Sequence, residues 1–215
     1  METIKDFISR NSEALESYSV MEDDEKSAFE KKFIQVAAAN KPELAAYLKE
    51  AECYDDLLEL IYDALANEPA WEGFFLTEME NMIRLYIQDP EKDSDGPDNY
   101  SKIESMGLSK LSDGPFGKSL TKLIIKQVDH SDPYISRRFL AMLVDYWLIT
   151  GNNQEAVEKL KSKLSDENWQ VRWLAYEGLS FSTLKIDKSD VHIPFGDKFK
   201  GFFPSFFGDP RRKKR

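Results

Sequence analysis

Cysteine is nearly absent. The chain of 215 residues holds one, Cys53, which excludes an intramolecular disulfide and a cysteine-cage zinc site. Histidine is almost as scarce: His130 and His192 stand far apart, and neither lies in a spacing such as HExxH. There is no Gly-rich phosphate loop and no GxSxG elbow. Nowhere do about 18 apolar residues run without charge, the length a membrane span needs. The opening METIKDFISR mixes charges with no apolar centre and does not resemble a signal peptide. The expectation from these absences is a non-catalytic protein without metal or cofactor, in a reducing, cytoplasmic setting.

What is present points to a folded domain. Apolar residues make up 41 %, with 14 Phe, 9 Tyr and 4 Trp, a mix too apolar for an acidic disordered chain. A chain of this length buries roughly 70 % of the surface it exposes when unfolded. The net charge is -10, unevenly spread: residues 1–98 carry 25 acids against 9 bases, and residues 99–210 carry 14 against 15. The run RRKKR closes the sequence. A negative field repels phosphate backbones, so the main body is expected to bind a basic protein rather than nucleic acid. General acidity for solubility is the plainer alternative.

Apolar residues recur at helical spacing up to about residue 180. Thr3 or Asp6 opens a first helix with Ile4, Phe7, Ile8 and Leu15 inward, and Asp23 is placed to cap a second carrying Phe29, Phe33, Ile34 and Val36. Pro42 suits the first turn of a third. A fourth spans 54–66 with Leu57, Leu58, Ile61 and Leu65 as its stripe, and Pro69 begins a fifth. Residues 89–115 break the pattern with Pro, Gly, Asp and Ser, leaving a long loop with a short helix around 101–106. Helices resume at 117–129, 133–149, 153–164 and 168–180. Beyond Phe181, prolines and glycines interrupt six phenylalanines (195, 199, 202, 203, 206 and 207), which excludes a regular helix. The organisation expected is an acidic helical half over 1–98, a loop or hinge over 99–116, helical pairs over 117–182 and a Phe-rich tail with a basic end over 183–215.

One repeat stands out. Ser131-Asp132 precedes Arg138-Phe139-Leu140-Ala141, and 34 residues on Ser165-Asp166 precedes Arg172-Trp173-Leu174-Ala175. With Val171 before Arg172, this pattern resembles the HEAT-repeat class of α-solenoids over about residues 117–180; in the earlier unit Arg137 replaces the Val. The resemblance implies an all-α fold of stacked antiparallel helical pairs, a short solenoid with an irregular tail. It also implies ladder roles for Asp132, Arg138, Asp166 and Arg172: the aspartates cap second helices and the arginines reach back to them or to the neighbouring repeat.

Few residues are candidates for chemistry. Asp145 is the sole charge within 139–149 (FLAMLVDYWLI); a carboxylate on so apolar a helix requires a partner, and pairing is the expectation. The acidic stripe says more. Asp55, Glu59 and Asp63 recur at i, i+4 and i+8 with Asp56 beside them, opposite Leu57, Ile61 and Leu65 and hence toward solvent. Like charges at that spacing cost a helix about 0.2–0.5 kcal/mol per pair. With Glu22, Asp23, Asp24 and Glu25, and with Glu68, Glu72, Glu78 and Glu80 nearby in sequence, they suggest a cation-seeking surface; the alternative is a solvated face. The phenylalanines of the tail are expected to cap the last helical pair or to insert into a partner or membrane surface. Together these features suggest a binding module, most specifically an immunity-type inhibitor that neutralises a basic toxin such as a nuclease. A scaffold using its concave face and its tail is the alternative.

Overall fold

The computed structural model of the chain describes residues 2–50, 56–90, 99–108, 111, 114–144, 154–180 and 191. Among the described residues every regular element is helical, as the periodicity requires. No helix among them is long and apolar enough to cross a membrane. The chain divides into two compact units, Met1–Leu120 and Thr121–Arg215.

In the first unit, α1 (Ile4–Arg10) opens with a capping box: Thr3 Oγ1 accepts the Asp6 N–H at 3.0 Å, and the Asp6 carboxylate accepts the Thr3 N–H at 3.3 Å. Those bonds to Thr3 hold the Asp6 carboxyl below its ordinary value. Asn11 ends the helix. Its side-chain amide donates to the Phe7 carbonyl at 2.7 Å, so the single helix expected to reach Leu15 is split into α1 and α2 (Ser12–Glu16). A 3₁₀ turn (Tyr18–Val20) leads to α3 (Asp23–Ala39), α4 (Lys41–Glu50) and α5 (Asp56–Leu65). Asp23 is the first helical residue of α3; Glu22 holds the cap position. A second 3₁₀ turn (Pro69–Trp71) introduces α6 (Glu72–Gln88).

An aromatic cluster centres this unit. Phe7 meets Phe29 and Phe33 at 5.4 and 5.5 Å between ring centroids, and Tyr18 meets Phe29 at 6.1 Å. The apolar stripe of α6 is buried in full: Phe75, Met79, Met82, Ile83 and Tyr86, with Trp71 just before it. α5 packs against α2 and α3, and Leu57, Leu58, Leu60, Ile61, Tyr62, Ala64 and Leu65 are all buried. At about 1.5–3 kcal/mol for each large side chain, α5 contributes more to the core than a two-faced surface helix does.

The segment expected to be a loop or hinge holds α7 (Asn99–Leu108), longer than the short helix read near 101–106. It packs on α6 within the first unit, with Tyr86 and Tyr100 5.4 Å apart and Ile103 and Met106 buried.

The division between units falls inside α8 (Gly117–Gln127). The second unit also holds α9 (Pro133–Met142), α10 (Gln154–Lys163) and α11 (Trp169–Ser180). Connections are short, at 128–132 and 164–168, and α11 packs on both α9 and α10. Buried faces carry Ile124 and Val128, Ile135 and Phe139, Val157 and Leu160, Val171 and Leu174. Asp145, His192, the six tail phenylalanines and the closing RRKKR lie outside the described residues.

Candidate functional site

The acidic N-terminal surface separates into exposed and internal parts. Glu22, Asp23, Asp24 and Glu25 are exposed at the start of α3. There the helix dipole favours carboxylates by about 0.3–1 kcal/mol each, so the helix itself accommodates this run. Glu13 and Glu16 on α2 are exposed as well. Between the two runs lies Val20, 80 % exposed and the most solvent-accessible large apolar side chain among the described residues.

Val20 stands on a fixed turn. Two residues earlier, Tyr18 is buried and its hydroxyl donates to Glu30 Oε1 at 2.8 Å, with Asp63 Oδ2 at 3.4 Å. Burial first, and the Glu30 bond second, drive the phenol well above its ordinary pKa, so Tyr18 remains a donor at all ordinary pH. Lys26 lies 4.2 Å above the Tyr18 ring and binds Asp63 at 2.9 Å.

That network corrects the expected stripe on α5. Glu59 is exposed as anticipated, but the Asp63 side chain is only 8 % exposed and is held by Lys26. Because α5 is enclosed nearly all round, a residue opposite Ile61 still faces a neighbour, here α3 and the Tyr18 turn. Asp55 and the side chain of Asp56 lie outside the described residues. Of the other acids, Glu72 accepts the Ser119 hydroxyl at 2.7 Å and Glu78 is buried, so neither belongs to an open surface.

The ladder residues hold turns in the second unit. Asp132 caps α9, accepting the Tyr134 N–H at 2.8 Å while its own N–H donates to His130 Nδ1 at 3.1 Å. In the next turn the capping role has moved. Asp166 accepts the Asn168 N–H at 3.0 Å, and Asn168 in turn accepts the Gln170 N–H at 2.9 Å. Arg172 reaches back to the backbone of the turn: its Nη1 donates to the carbonyls of Asp166 at 2.6 Å and Glu167 at 2.9 Å. Arg138 is half-buried on α9.

Some contacts across this unit come from residues the motif does not mark. Arg137, at the position where the motif has Val, binds Gln170 across α9 and α11. Asp129 takes Lys159 of α10 and also Lys163, at 3.1 Å, and Lys163 lies 3.6 Å from Asp166. The signal available in the sequence was the offset itself, since Asp129 and Lys163 stand 34 residues apart.

The two turns enclose a cleft of about 340 Å³ lined by Asp129, His130 and Ser131 on one side and Asp166, Glu167 and Asn168 on the other. Ser136 at its base spends its hydroxyl on the Val128 carbonyl at 2.6 Å. Among the described residues no group of three or more His, Cys, Asp or Glu is placed to hold a metal ion. The cleft lining carries the Asp129–Lys163 charge pair and the turn-fixing bonds of His130, Asp166 and Asn168. No protein-family model matches the chain, and comparison with curated proteins and with solved structures returns no match.

Proposed function

We propose that the chain is a non-catalytic protein-binding module, most specifically an immunity-type inhibitor whose acidic surface neutralises a basic, toxin-like protein such as a nuclease in the cytoplasm. The observation that carries this reading is the exposed run Glu22–Glu25, with Glu13 and Glu16, beside an exposed Val20 on a turn pinned by Tyr18. Lys26, the base within that run, is drawn to Asp63 and so adds little positive charge to the surface. Carboxylates around an apolar contact suit a basic partner, because they steer its approach toward about 10⁸–10⁹ M⁻¹s⁻¹ at low salt and surround a contact that excludes water. The HEAT-like reading belongs to the same proposal, supported by the short connections in the second unit and by Asp132 and Arg172 acting at its turns.

The test starts from the protein that co-purifies from the native host, with association rates measured by stopped flow as salt rises. A basic partner whose on-rate falls steeply with salt, and about tenfold on the combined change E22Q, D23N, D24N and E25Q, supports the reading. An on-rate indifferent to both overturns it. Binding lost instead on deletion of residues 195–215 points to the scaffold alternative.

A further inference from the structure

Glu78 stands apart from the other acids. It sits in the middle of α6, is 6 % exposed, and its Oε2 has no hydrogen-bond partner among the described residues. A buried carboxylate oxygen without a donor is expensive as an anion and far cheaper as a neutral acid.

The neighbouring charges do not remove that cost. α6 packs on α7 and on the Pro69–Trp71 turn, which has no ionisable side chain. α7 brings Lys102 and Glu104. Lys102 is itself 2 % exposed, and its ammonium donates to the Lys49 carbonyl in the last turn of α4, where a cation suits the helix end. The Lys49 ammonium is the one charge acting on Glu78 among the described residues, and Lys49 is exposed, so solvent screens it. On its own helix, Glu78 has Asn81 as a hydrogen-bond partner. Burial is the strongest influence on the carboxyl and raises it; Lys49 and Asn81 pull the other way without cancelling it.

The Lys49 carbonyl thus ties the last turn of α4 to Lys102 of α7, while the charge of Lys49 draws on the buried Glu78 of α6. We propose that Glu78 is a proton-operated clasp: with its carboxyl neutral the last turn of α4 closes onto α6 and α7, and its ionisation loosens that junction. The clasp is independent of the binding reading above, since none of these residues belongs to the acidic surface.

Amide hydrogen exchange on the intact protein tests it, with wild type and Glu78→Gln compared at about pH 5 and about pH 8. The ratio between the two proteins cancels the chemistry common to all amides. The expected result is that wild type loses protection in α6 and α7 relative to Glu78→Gln as pH rises, by about tenfold for each unit by which folding raises the carboxyl. Parallel behaviour of the two proteins overturns the clasp. Should Glu78→Gln fail to fold, carboxyl ¹³C NMR of the wild type decides. A Glu78 midpoint well above the ordinary glutamate value of about 4.3 supports the clasp, and one at that value overturns it.

Discussion

Glu43 caps a helix to which it does not belong. From the first turn of α4 its carboxylate accepts the Ile4 N–H at 2.9 Å and the Lys5 N–H at 3.0 Å, two of the donors that α1 leaves unpaired at its start. Asn40 reinforces the junction, donating to the Glu2 carbonyl at 2.8 Å. The N-terminal helix is therefore fastened to the body by a charge-assisted pair as well as by Ile4 and Phe7 in the core.

Glu43→Ala is expected to lower stability by about 1–2 kcal/mol, the usual cost of a lost cap, read as a shift in urea midpoint at constant slope. Glu43→Gln, which keeps an acceptor for one N–H, is expected to lose about half as much.

Asp63 and the exposed acids are expected to behave oppositely. Asp63→Ala leaves the Lys26 ammonium without this carboxylate beside the buried Tyr18 ring, costing about 1–3 kcal/mol, with little effect on the association rate of the proposed basic partner. Neutralising Asp23 and Asp24 reverses this: the on-rate falls and stability moves by no more than about 1 kcal/mol, the scale of two helix-dipole terms. Thermal melts and stopped-flow rates on the same samples separate the two.

Asp129 is expected to give the second unit an acid-sensitive component. Desolvation pushes its carboxyl up, but the bonds and charges of Lys159 and Lys163 outweigh that and hold it below the ordinary value of 3.8. A carboxyl lowered by folding stabilises above its unfolded pKa, and that contribution disappears as pH falls through the folded one. Because the Asp129 side chain is 56 % exposed, solvent screening limits the contribution to about 1 kcal/mol. Asp129→Asn should remove the corresponding part of the stability difference between about pH 5 and about pH 2, measured by urea unfolding.

Capping is expected to fall on non-equivalent residues in the two turns. Asp132→Ala should destabilise by about 1 kcal/mol, since Asp132 is the cap of α9. At the equivalent turn the same loss is expected from Asn168→Ala, because Asn168 serves the α11 N–H group. Far-UV circular dichroism during urea titration measures both.

Helix positions and most of the core were legible because burial follows the 3.6-residue period: Phe29 and Phe33, Leu44 and Leu48, and the Phe75, Met79, Met82, Ile83 and Tyr86 stripe lie inside. Reading Asp63 outward failed because periodicity assigns faces relative to a single core, and α5 has neighbours on nearly every side. Asn11 carries no periodic signal, since its effect depends on a side chain turning back on the Phe7 carbonyl. The segment holding α7 was obscured by the Pro, Gly and Asp that precede it, while Ile103 and Met106 supplied only a short apolar stripe. The motif marks Arg138 and Arg172 but not Arg137, whose bond to Gln170 joins α9 to α11, because a motif records spacing rather than which side chain bridges it. Val20 was invisible for a different reason, since a lone valine in a polar stretch has no pattern until Tyr18 fixes the turn beside it.

The enclosure of α5 has a bearing on how the first unit comes apart. A helix that packs against both α2 and α3 loses apolar contacts when either leaves, so opening there exposes leucines in bulk rather than a few at a time. Fraying in that region is accordingly all-or-none, and proteases acting on native protein should find cleavage sites in α5 only through the global transition.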